Sequence, residues 1–191
     1  MEPLEALKTA NREFEARLRL VGSEHWDRPT PCPEWNVKAL VNHVLLGTRM
    51  SVQLLSGMPR DEVIAQLNDD LLPDGTDPVA AFVDLAGQMV EGFSGPNGLE
   101  GVVAHPAGDF PRSMFIGFRV TDGAAHAWDL ATAIGGDTTL DPELVQFLWD
   151  DAQPRRDMLV ATGMFGEGPS GSVADDAELQ LRYLDLIGRR P

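Results

Sequence analysis

The sequence has a single cysteine, Cys32, and no apolar run near the length of a membrane span. One cysteine excludes an intramolecular disulfide, so the fold depends on its core. The first residues, MEPLEALKTA, lack the basic, apolar and small-residue order of a secretory signal. A bilayer-spanning helix needs about 20 apolar residues, and Asp, Gln or Gly interrupts each candidate. We therefore expect a soluble, cytoplasmic protein.

Basic residues are also scarce. Lysine and arginine total 15 against 30 acidic residues, which gives a formal net charge of -15. Phosphate backbones and anionic membranes are bound by neutralising their charge, so we expect neither nucleic acid nor a membrane as a partner. The length of 191 residues and the hydrophobic content of 43% support one globular domain over residues 1–191.

Apolar residues recur at spacings of three and four in four long segments, which is typical of amphipathic helices. The predicted helices run from Leu4 to near Gly22, from Val37 to Leu55, from Val79 to Phe93 and from about Ser113 to Ile134. Asn36 and Asp77 are predicted N-caps, and Gly135 with Gly136 closes the fourth helix. Three prolines make residues 23–34 an extended connector.

The remaining segments carry weaker patterns. A short helical pattern interrupts the acidic excursion at residues 59–76, and residues 99–105 fit either a hairpin or a loop. A fifth helix begins at Asp141, with Pro154 kinking or ending it before helix resumes at Met158 and Leu159. Gly163 to Ser172 is predicted loop, and a last helix runs from Asp175 or Asp176 to Ile187. The sequence thus predicts an all-α fold: a four-helix bundle with additional short helices and loop excursions.

Two polar residues interrupt the core stripe of the fourth helix. Phe118, Asp122, His126 and Leu130 recur every four residues and therefore form one row. A buried carboxylate needs a partner, and His43 on the second helix, with space left beside its ring by Gly47, is the candidate. Two ligands one turn apart plus a third from a facing helix would hold a divalent metal with open positions.

Two simpler interpretations stay open at this point. Asp122 and His126 also fit an ion pair on a helix surface, which is worth about 0.2 to 0.5 kcal/mol. His43 also fits a hydrogen-bonded histidine at the edge of the core.

Three blocks of the sequence resemble a known family. The segments WDRPTPCPEWNVKALVNHV, DGAAHAWDLATAIG and LQLRYLDLIGRRP are similar to the DinB-like metalloprotein superfamily, in the branch of the mycothiol-dependent maleylpyruvate isomerase. The resemblance implies a four-helix bundle that holds a divalent metal, usually zinc, through His43, Asp122 and His126. Nickel, iron and manganese are the alternatives. The isomerase has a glutamate where Asp122 stands, so the carboxylate here reaches one methylene less far.

The resemblance also implies thiol chemistry. A low-molecular-weight thiol such as mycothiol would be activated at the metal and attack a small electrophilic molecule, in an S-transferase or isomerase reaction. Substrate selectivity would come from residues lining the cavity near Gly47, Met50 and Phe118. The isomerase continues into a second domain that contributes to catalysis, whereas this chain ends at Pro191, so isomerisation itself does not follow. A non-enzymatic bundle that sequesters a metal or small ligand, and a plain structural module, are the competing functions.

A few other residues allow a functional interpretation. Cys32 as a nucleophile would need a nearby base that the sequence does not supply, so we expect it to pack the connector against Trp26 or Trp35. Trp35 and Trp128 are more typical of core than of a pocket. His105 is a weak candidate for a further ligand or a proton shuttle from a loop. Asp129 is placed to orient a neighbouring group.

Overall fold

The structure is a computed structural model that describes residues 1–157, 161 and 168–191. These residues divide into two compact units, Glu2–Thr138 and Thr139–Pro191, and Met1 groups with the second. The single domain over residues 1–191 therefore stays a prediction. The predicted helix resumption at Met158 and Leu159, and the first part of the predicted loop from Gly163, lie outside the described residues.

The larger unit is built from four long helices with short elements between them. They are α1 (Pro3–Leu18), α2 (Val37–Leu55), α3 (Arg60–Ile64), α4 (Pro78–Ser94), β1 (Val102–His105), β2 (Gly108–Pro111) and α5 (Arg112–Ile134). The predicted all-α four-helix bundle is confirmed, with a two-stranded sheet as the one described addition. Within the described part of the chain, no helix is both long and apolar enough to cross a bilayer.

The helix boundaries follow from local capping. The Asn36 side chain accepts a hydrogen bond from the backbone N–H of Ala39 at 2.9 Å, and Asp77 caps α4 in the same way. Gly135 ends α5 in the left-handed conformation with φ of 74°, which side chains resist. These ends match the predicted ones. The first helix instead ends at Leu18, and turns occupy the residues up to Gly22.

Each long helix packs against two of the others. α1 packs along α5 and α4, and α2 packs against α4 and α5, so the four form a closed ring around the core. Small residues bring α1 and α5 together, because a Cβ on Gly123 would lie 3.5 Å from the Cβ of Ala10. Phe14 and Phe82 join α1 to α4 with ring centroids 4.9 Å apart. The contact of α2 with α5 sets the position of the site described below.

The connector between α1 and α2 is ordered by its own hydrogen bonds. The N–H of Trp35 donates to the carbonyl of Cys32, and the N–H of Thr30 donates to the carbonyl of Trp35. An isolated bridge between Pro29 and Asn36 closes the second half of the connector into a loop. This compact loop fixes Cys32 and Trp35 immediately before α2.

The segment that the sequence left open between hairpin and loop is a hairpin. β1 and β2 pair antiparallel, from Val102 opposite Pro111 to His105 opposite Gly108. Val103 is buried, and the aromatic rings of the hairpin face α5. The predicted short helical pattern is the five-residue α3, whose Val63 is buried.

The second unit contains two further α-helices, α6 (Pro142–Ala152) and α7 (Leu179–Leu186), among the described residues. Pro154 lies in a 3-10 turn, Gln153–Arg155, directly after α6, as expected for a residue that ends an α-helix. The predicted start of the last helix at Asp175 or Asp176 is wrong, because α7 begins at Leu179. The guanidinium of Arg182 lies over the Trp149 ring at 4.5 Å, which joins α7 to α6.

Candidate metal centre

Three side chains from α2 and α5 converge in the larger unit. The Nε2 atom of His43 lies 3.5 Å from Oδ1 of Asp122, and the Nε2 atom of His126 lies 3.5 Å from the same oxygen. One ligand-type atom from each residue falls within 4.8 Å of the others. The structure therefore brings together the three residues that the sequence proposed as ligands.

The local sequence explains this convergence. Asp122 and His126 are one helical turn apart on α5, and α2 is a neighbour of α5 in the bundle. Their side chains are only 14% and 7% exposed, whereas that of His43 is 40% exposed. A pair on the helix surface would be far more exposed, so that interpretation does not describe Asp122 and His126. The cluster opens to solvent on the side of His43.

The spacing of the three atoms fits a shared cation better than mutual hydrogen bonds. Side-chain hydrogen bonds of this type usually span about 2.7–3.2 Å, so the two contacts of 3.5 Å with Asp122 are at most weak hydrogen bonds. A tetrahedral zinc ion with bonds of about 2.0–2.1 Å separates its ligand atoms by about 3.3–3.4 Å. Two imidazole nitrogens and one carboxylate oxygen are also a donor set that zinc and other divalent metals accept. The residues present therefore fit a divalent metal, and the shorter aspartate still reaches both imidazoles.

Asp129 holds the imidazole of His126 from the other side. Nδ1 of His126 donates to Oδ2 of Asp129 across 2.9 Å, and Asp129 is fully buried. Because an ionised carboxylate only accepts, the proton of the neutral ring lies on Nδ1 and the lone pair of Nε2 points to Asp122 and His43. Carboxylates hydrogen-bonded to a ligating histidine in this way fix its orientation. The expectation that Asp129 orients a neighbouring group agrees with this geometry.

Arg119 occupies the far oxygen of Asp122. Its guanidinium donates to Oδ2 of Asp122 at 3.0 Å, which leaves Oδ1 facing the two histidines. A Cβ on Gly47 would lie 2.9 Å from the terminal nitrogen Nη1 of Arg119. The expectation that Gly47 leaves free space beside the ring of His43 is wrong, because the guanidinium of Arg119 occupies the space at Gly47. The sequence interpretation missed Arg119, although its offset of three residues from Asp122 on α5 was a usable signal.

The protonation equilibria of the pair follow from burial and charge. Burial acts to raise the pKa of Asp122, but the charges of Arg119 and His126 outweigh it and hold this pKa well below its usual value. Burial acts to lower the pKa of His126, and the carboxylates of Asp122 and Asp129 reverse this and raise it well above its usual value. A divalent cation at Nε2 would therefore replace a proton there.

Trp35 forms an aromatic wall beside the cluster. Its ring centroid lies 4.4 Å from that of His43 and 5.7 Å from that of His126. The two imidazole rings themselves are 5.0 Å apart and nearly perpendicular. The expectation that Trp35 is simply core is therefore wrong for this residue, whereas Trp128 is buried on α5 as expected.

Cys32 lies where the sequence did not predict it. Its Sγ donates to Oδ2 of Asp129 at 3.5 Å, so the thiol contacts the acid that holds His126. The sequence supplies no base near Cys32, and the fold brings Asp129 there, because the connector folds back onto α5. The ligand-type atoms of Cys32, His126 and Asp129 also lie within 4.8 Å of one another.

The other candidates lie outside the cluster of ligand-type atoms. His105 packs between Phe110 and Phe115, with ring centroids 5.7 and 5.8 Å away, and its Nδ1 accepts from the Ala107 N–H. Burial, with the charges of Arg119 and Arg60, lowers the pKa of His105. Phe118 packs edge-on against Phe110 at 5.2 Å, and Met50 is half-buried on α2. Their part in a substrate pocket stays a prediction, as does any role of His105 in chemistry.

Fold and site together define a helical bundle whose facing helices gather two histidines and an aspartate. The sequence model of the mycothiol maleylpyruvate isomerase N-terminal domain family matches residues 7–131. The chain belongs to this family. Its bundle is of the DinB-like type.

Two curated relatives extend this comparison. They are uncharacterized proteins of Mycobacterium tuberculosis, from strains CDC 1551 / Oshkosh and ATCC 25618 / H37Rv. Each is 38% identical over 144 residues, which cover 75% of this chain and 74% of the relative. No solved structure matches the chain.

Proposed function

We propose that the chain binds a divalent metal ion, zinc in the first place, through His43, Asp122 and His126. The observation that carries the proposal is that Nε2 of His43 and Nε2 of His126 each lie 3.5 Å from Oδ1 of Asp122, which is longer than a usual hydrogen bond. The match to the isomerase N-terminal domain family supports it independently. Nickel, iron and manganese accept the same donors and are the alternatives.

Each neighbouring residue then has a defined task. Asp129 keeps the proton of His126 on Nδ1 and thereby keeps Nε2 free to donate its lone pair. Arg119 holds the carboxylate of Asp122 so that Oδ1 faces the imidazoles. Trp35 covers one side of both rings and limits access of water from that side.

We further propose that the reaction is thiol-dependent transfer or isomerisation of a small electrophilic molecule. When bound, a divalent metal supplies Lewis-acid chemistry that favours the thiolate form of a coordinating thiol at neutral pH. A free thiol, with a pKa of about 8.5, is mostly protonated there. Mycothiol is the proposed thiol because the matched family is named for it. The sulfur forms a bond to the electrophilic carbon, and a leaving group departs or the adduct rearranges and releases the thiol.

The open side of the cluster is the proposed entry for the thiol and the substrate. His43 is the most exposed of the three residues, and Met50 and Phe118 are the proposed lining of the cavity, whereas Arg119 fills the space at Gly47. A cytoplasmic setting, where small thiols are kept reduced, fits this chemistry.

The first test is metal analysis of protein purified without chelators, followed by the His126→Ala variant. Wild type should carry stoichiometric metal, and His126→Ala should bind it more than about 100-fold more weakly, because loss of an outer partner alone costs about 10–100-fold. His25→Ala is the matched control, since His25 lies in the connector and its Nδ1 accepts from the Gly22 N–H. Only trace metal in wild type would contradict the proposal.

Turnover separates the two metal-binding functions. Wild type with mycothiol should convert a model electrophile such as chlorodinitrobenzene, and His126→Ala should not. Stoichiometric metal without turnover of this or other electrophiles would instead favour a bundle that sequesters a metal or ligand.

A further inference from the structure

Arg119 is a buried arginine with few partners. Its side chain is 8% exposed, and its described hydrogen bond is the one from Nη2 to Oδ2 of Asp122. Within residues 1–157, 161 and 168–191, no atom accepts a hydrogen bond from its Nε. A guanidinium carries five N–H groups, and a donor buried without an acceptor is unfavourable. The arginine therefore has donor capacity that the protein does not use.

The helix α2 is shaped to admit this side chain. A Cβ on residue 47 would lie 2.9 Å from Nη1 and 3.0 Å from Nη2 of Arg119, so any side chain larger than glycine would displace the guanidinium. Gly47 is one turn beyond His43 on the same helix. The guanidinium of Arg119, with its unused donor, thus lies between α2 and the candidate ligand Asp122.

Arg49 of α2 is an arginine with more hydrogen-bond acceptors than Arg119. Arg49 donates to the carbonyl of Gln66 and to the carboxylate of Asp69, both at 2.8 Å. It stabilises the segment after α3 and has two oxygen partners. Arg119 is more deeply buried than Arg49, with side-chain exposures of 8% and 21%, and has fewer partners.

We infer that Arg119 binds an anionic oxygen, most simply a carboxylate, on the small ligand that enters the candidate metal centre. The inference rests on the proposed function for the presence of the metal and the thiol. A divalent cation together with Arg119 would outweigh the charges of Asp122 and Asp129, so the centre would be locally positive in a strongly acidic chain. Guanidinium groups bind carboxylates through parallel hydrogen bonds, which Nε, enclosed by protein in this structure, and a terminal nitrogen would supply once the guanidinium turns toward the ligand.

A purely structural role would look different. If Arg119 only oriented Asp122, removing it would weaken metal binding and then affect charged and neutral ligands equally. An anion-binding role predicts a loss confined to charged ligands. The ratio of the two affinities therefore separates the roles, and it is insensitive to partial loss of metal affinity.

The experiment uses zinc-loaded full chain and two probes, 3-mercaptopropionate and its neutral methyl ester. Wild type should prefer the carboxylate by roughly 10- to 100-fold, as charge-assisted hydrogen bonds typically contribute. Arg119→Met should abolish the preference, and Arg119→Lys should retain part of it. Arg49→Met removes the same charge from α2 and should leave the preference intact.

A second measurement observes the arginine itself. In protein with nitrogen-15 arginine, the Nε–H signal absent from Arg119→Met identifies Arg119, and 3-mercaptopropionate should shift it while the ester does not. Acetate in zinc-free protein should shift it as well, more weakly. Gly47→Ala should move the signal without added ligand and reduce the preference while retaining the arginine.

The outcomes distinguish this inference from the proposed function. One outcome is that zinc and the ester bind while 3-mercaptopropionate binds no more tightly than the ester and the Nε–H signal does not move. In that case Arg119 has no anion-binding role, and the proposed metal centre is unaffected. If zinc does not bind at all, the proposed function fails, and the response of the signal to acetate alone still decides the role of Arg119.

Discussion

The two ring nitrogens of His126 each face an aspartate and a second potential metal ligand, but the two sides differ in burial and in the distance to the carboxylate. At Nδ1, Asp129 is fully buried and accepts a hydrogen bond of 2.9 Å, and Cys32 donates to the same oxygen. At Nε2, the nearest oxygen of Asp122 is 3.5 Å away, and His43 is exposed to solvent. Each side has the residue types of a metal site.

The difference lies in whether the protein itself satisfies the ring nitrogen. On the Nδ1 side the hydrogen bond of 2.9 Å joins the imidazole to a buried carboxylate, so a cation would have to break this bond and displace the Nδ1 proton. On the Nε2 side the three ligand-type atoms converge, and Asp122 makes only long contacts of 3.5 Å with the two histidines. Residues of the same types therefore have different roles at the two nitrogens. Those at Nδ1 hold the ring of His126 in place, and those at Nε2 form the candidate metal-binding position.

Removing the charge of Asp129, which holds Nδ1 of His126, should reduce zinc affinity more than the changes at Gly47 and Cys32. Asp129→Asn keeps the shape of the side chain but removes the charge that fixes the Nδ1–H tautomer of His126. We expect zinc affinity to fall by about 10- to 100-fold, the range for partners of ligating histidines. Competition with a chromophoric chelator measures this change.

Asp185→Asn is the matched control. Asp185 is also buried and accepts from the Ser170 N–H at 3.0 Å, but it lies in the second unit. It should cost stability in thermal unfolding and leave zinc affinity unchanged. Unaltered affinity in Asp129→Asn, with the protein folded, would mean that the Nδ1 side does not support the centre.

The two sides of His126 also differ in how far sequence alone could predict them. Spacing shows that Asp122 and His126 share a row on α5 and leaves a metal site and an ion pair as alternatives, and the family resemblance adds His43 as the third ligand. On the Nδ1 side, Asp129 is three residues from His126 and its orienting role was predicted, whereas the contact of Cys32 with Asp129 joins residues 97 apart in the sequence. No periodicity describes the path of a proline-rich connector, and its fold back onto α5 is a tertiary result.

The same contrast applies to the rest of the fold. Side-chain caps and a closing glycine are local chemistry, so the limits of α2, α4 and α5 could be predicted closely. The start of α7 lacked such a signal, since the described N-cap residue, Glu178, makes no side-chain cap hydrogen bond. Arg119 was predictable from its offset to Asp122, but its burial depended on Gly47 across the helix interface.

Substitutions at two glycines test the Nε2 side, with a smaller expected change in zinc affinity than Asp129→Asn. Gly47→Ala places a methyl group against Arg119 and should push the guanidinium away from Asp122. We expect a loss of zinc affinity of about three- to tenfold, the range for one ordinary hydrogen bond. Chelator competition measures it, and thermal unfolding reports stability, where alanine's better helix propensity, worth up to about 1 kcal/mol, offsets part of the disturbance.

Gly123→Ala is the counterpart on α5. Its added Cβ would lie 3.5 Å from Ala10, an ordinary contact in the interface with α1. It should stabilise the fold by up to about 1 kcal/mol and leave zinc affinity unchanged. Equal zinc affinities in the two variants would show that Arg119 does not hold Asp122 in place.

The smallest change in zinc affinity is expected for a substitution at Cys32. Cys32→Ser preserves a donor toward Asp129, and a thiol is a weak donor to begin with, so zinc affinity should change by less than about threefold. Cobalt-loaded wild type should accordingly show no sulfur-to-metal charge-transfer band until an external thiol is added. Because thiolate is a strong ligand for both metals, loss of zinc in Cys32→Ser together with such a band in the untreated protein would place the cation on the Nδ1 side of His126. The two surroundings of the ring would then have opposite roles from those inferred here, with Asp122 and His43 as the support and Cys32 and Asp129 as ligands.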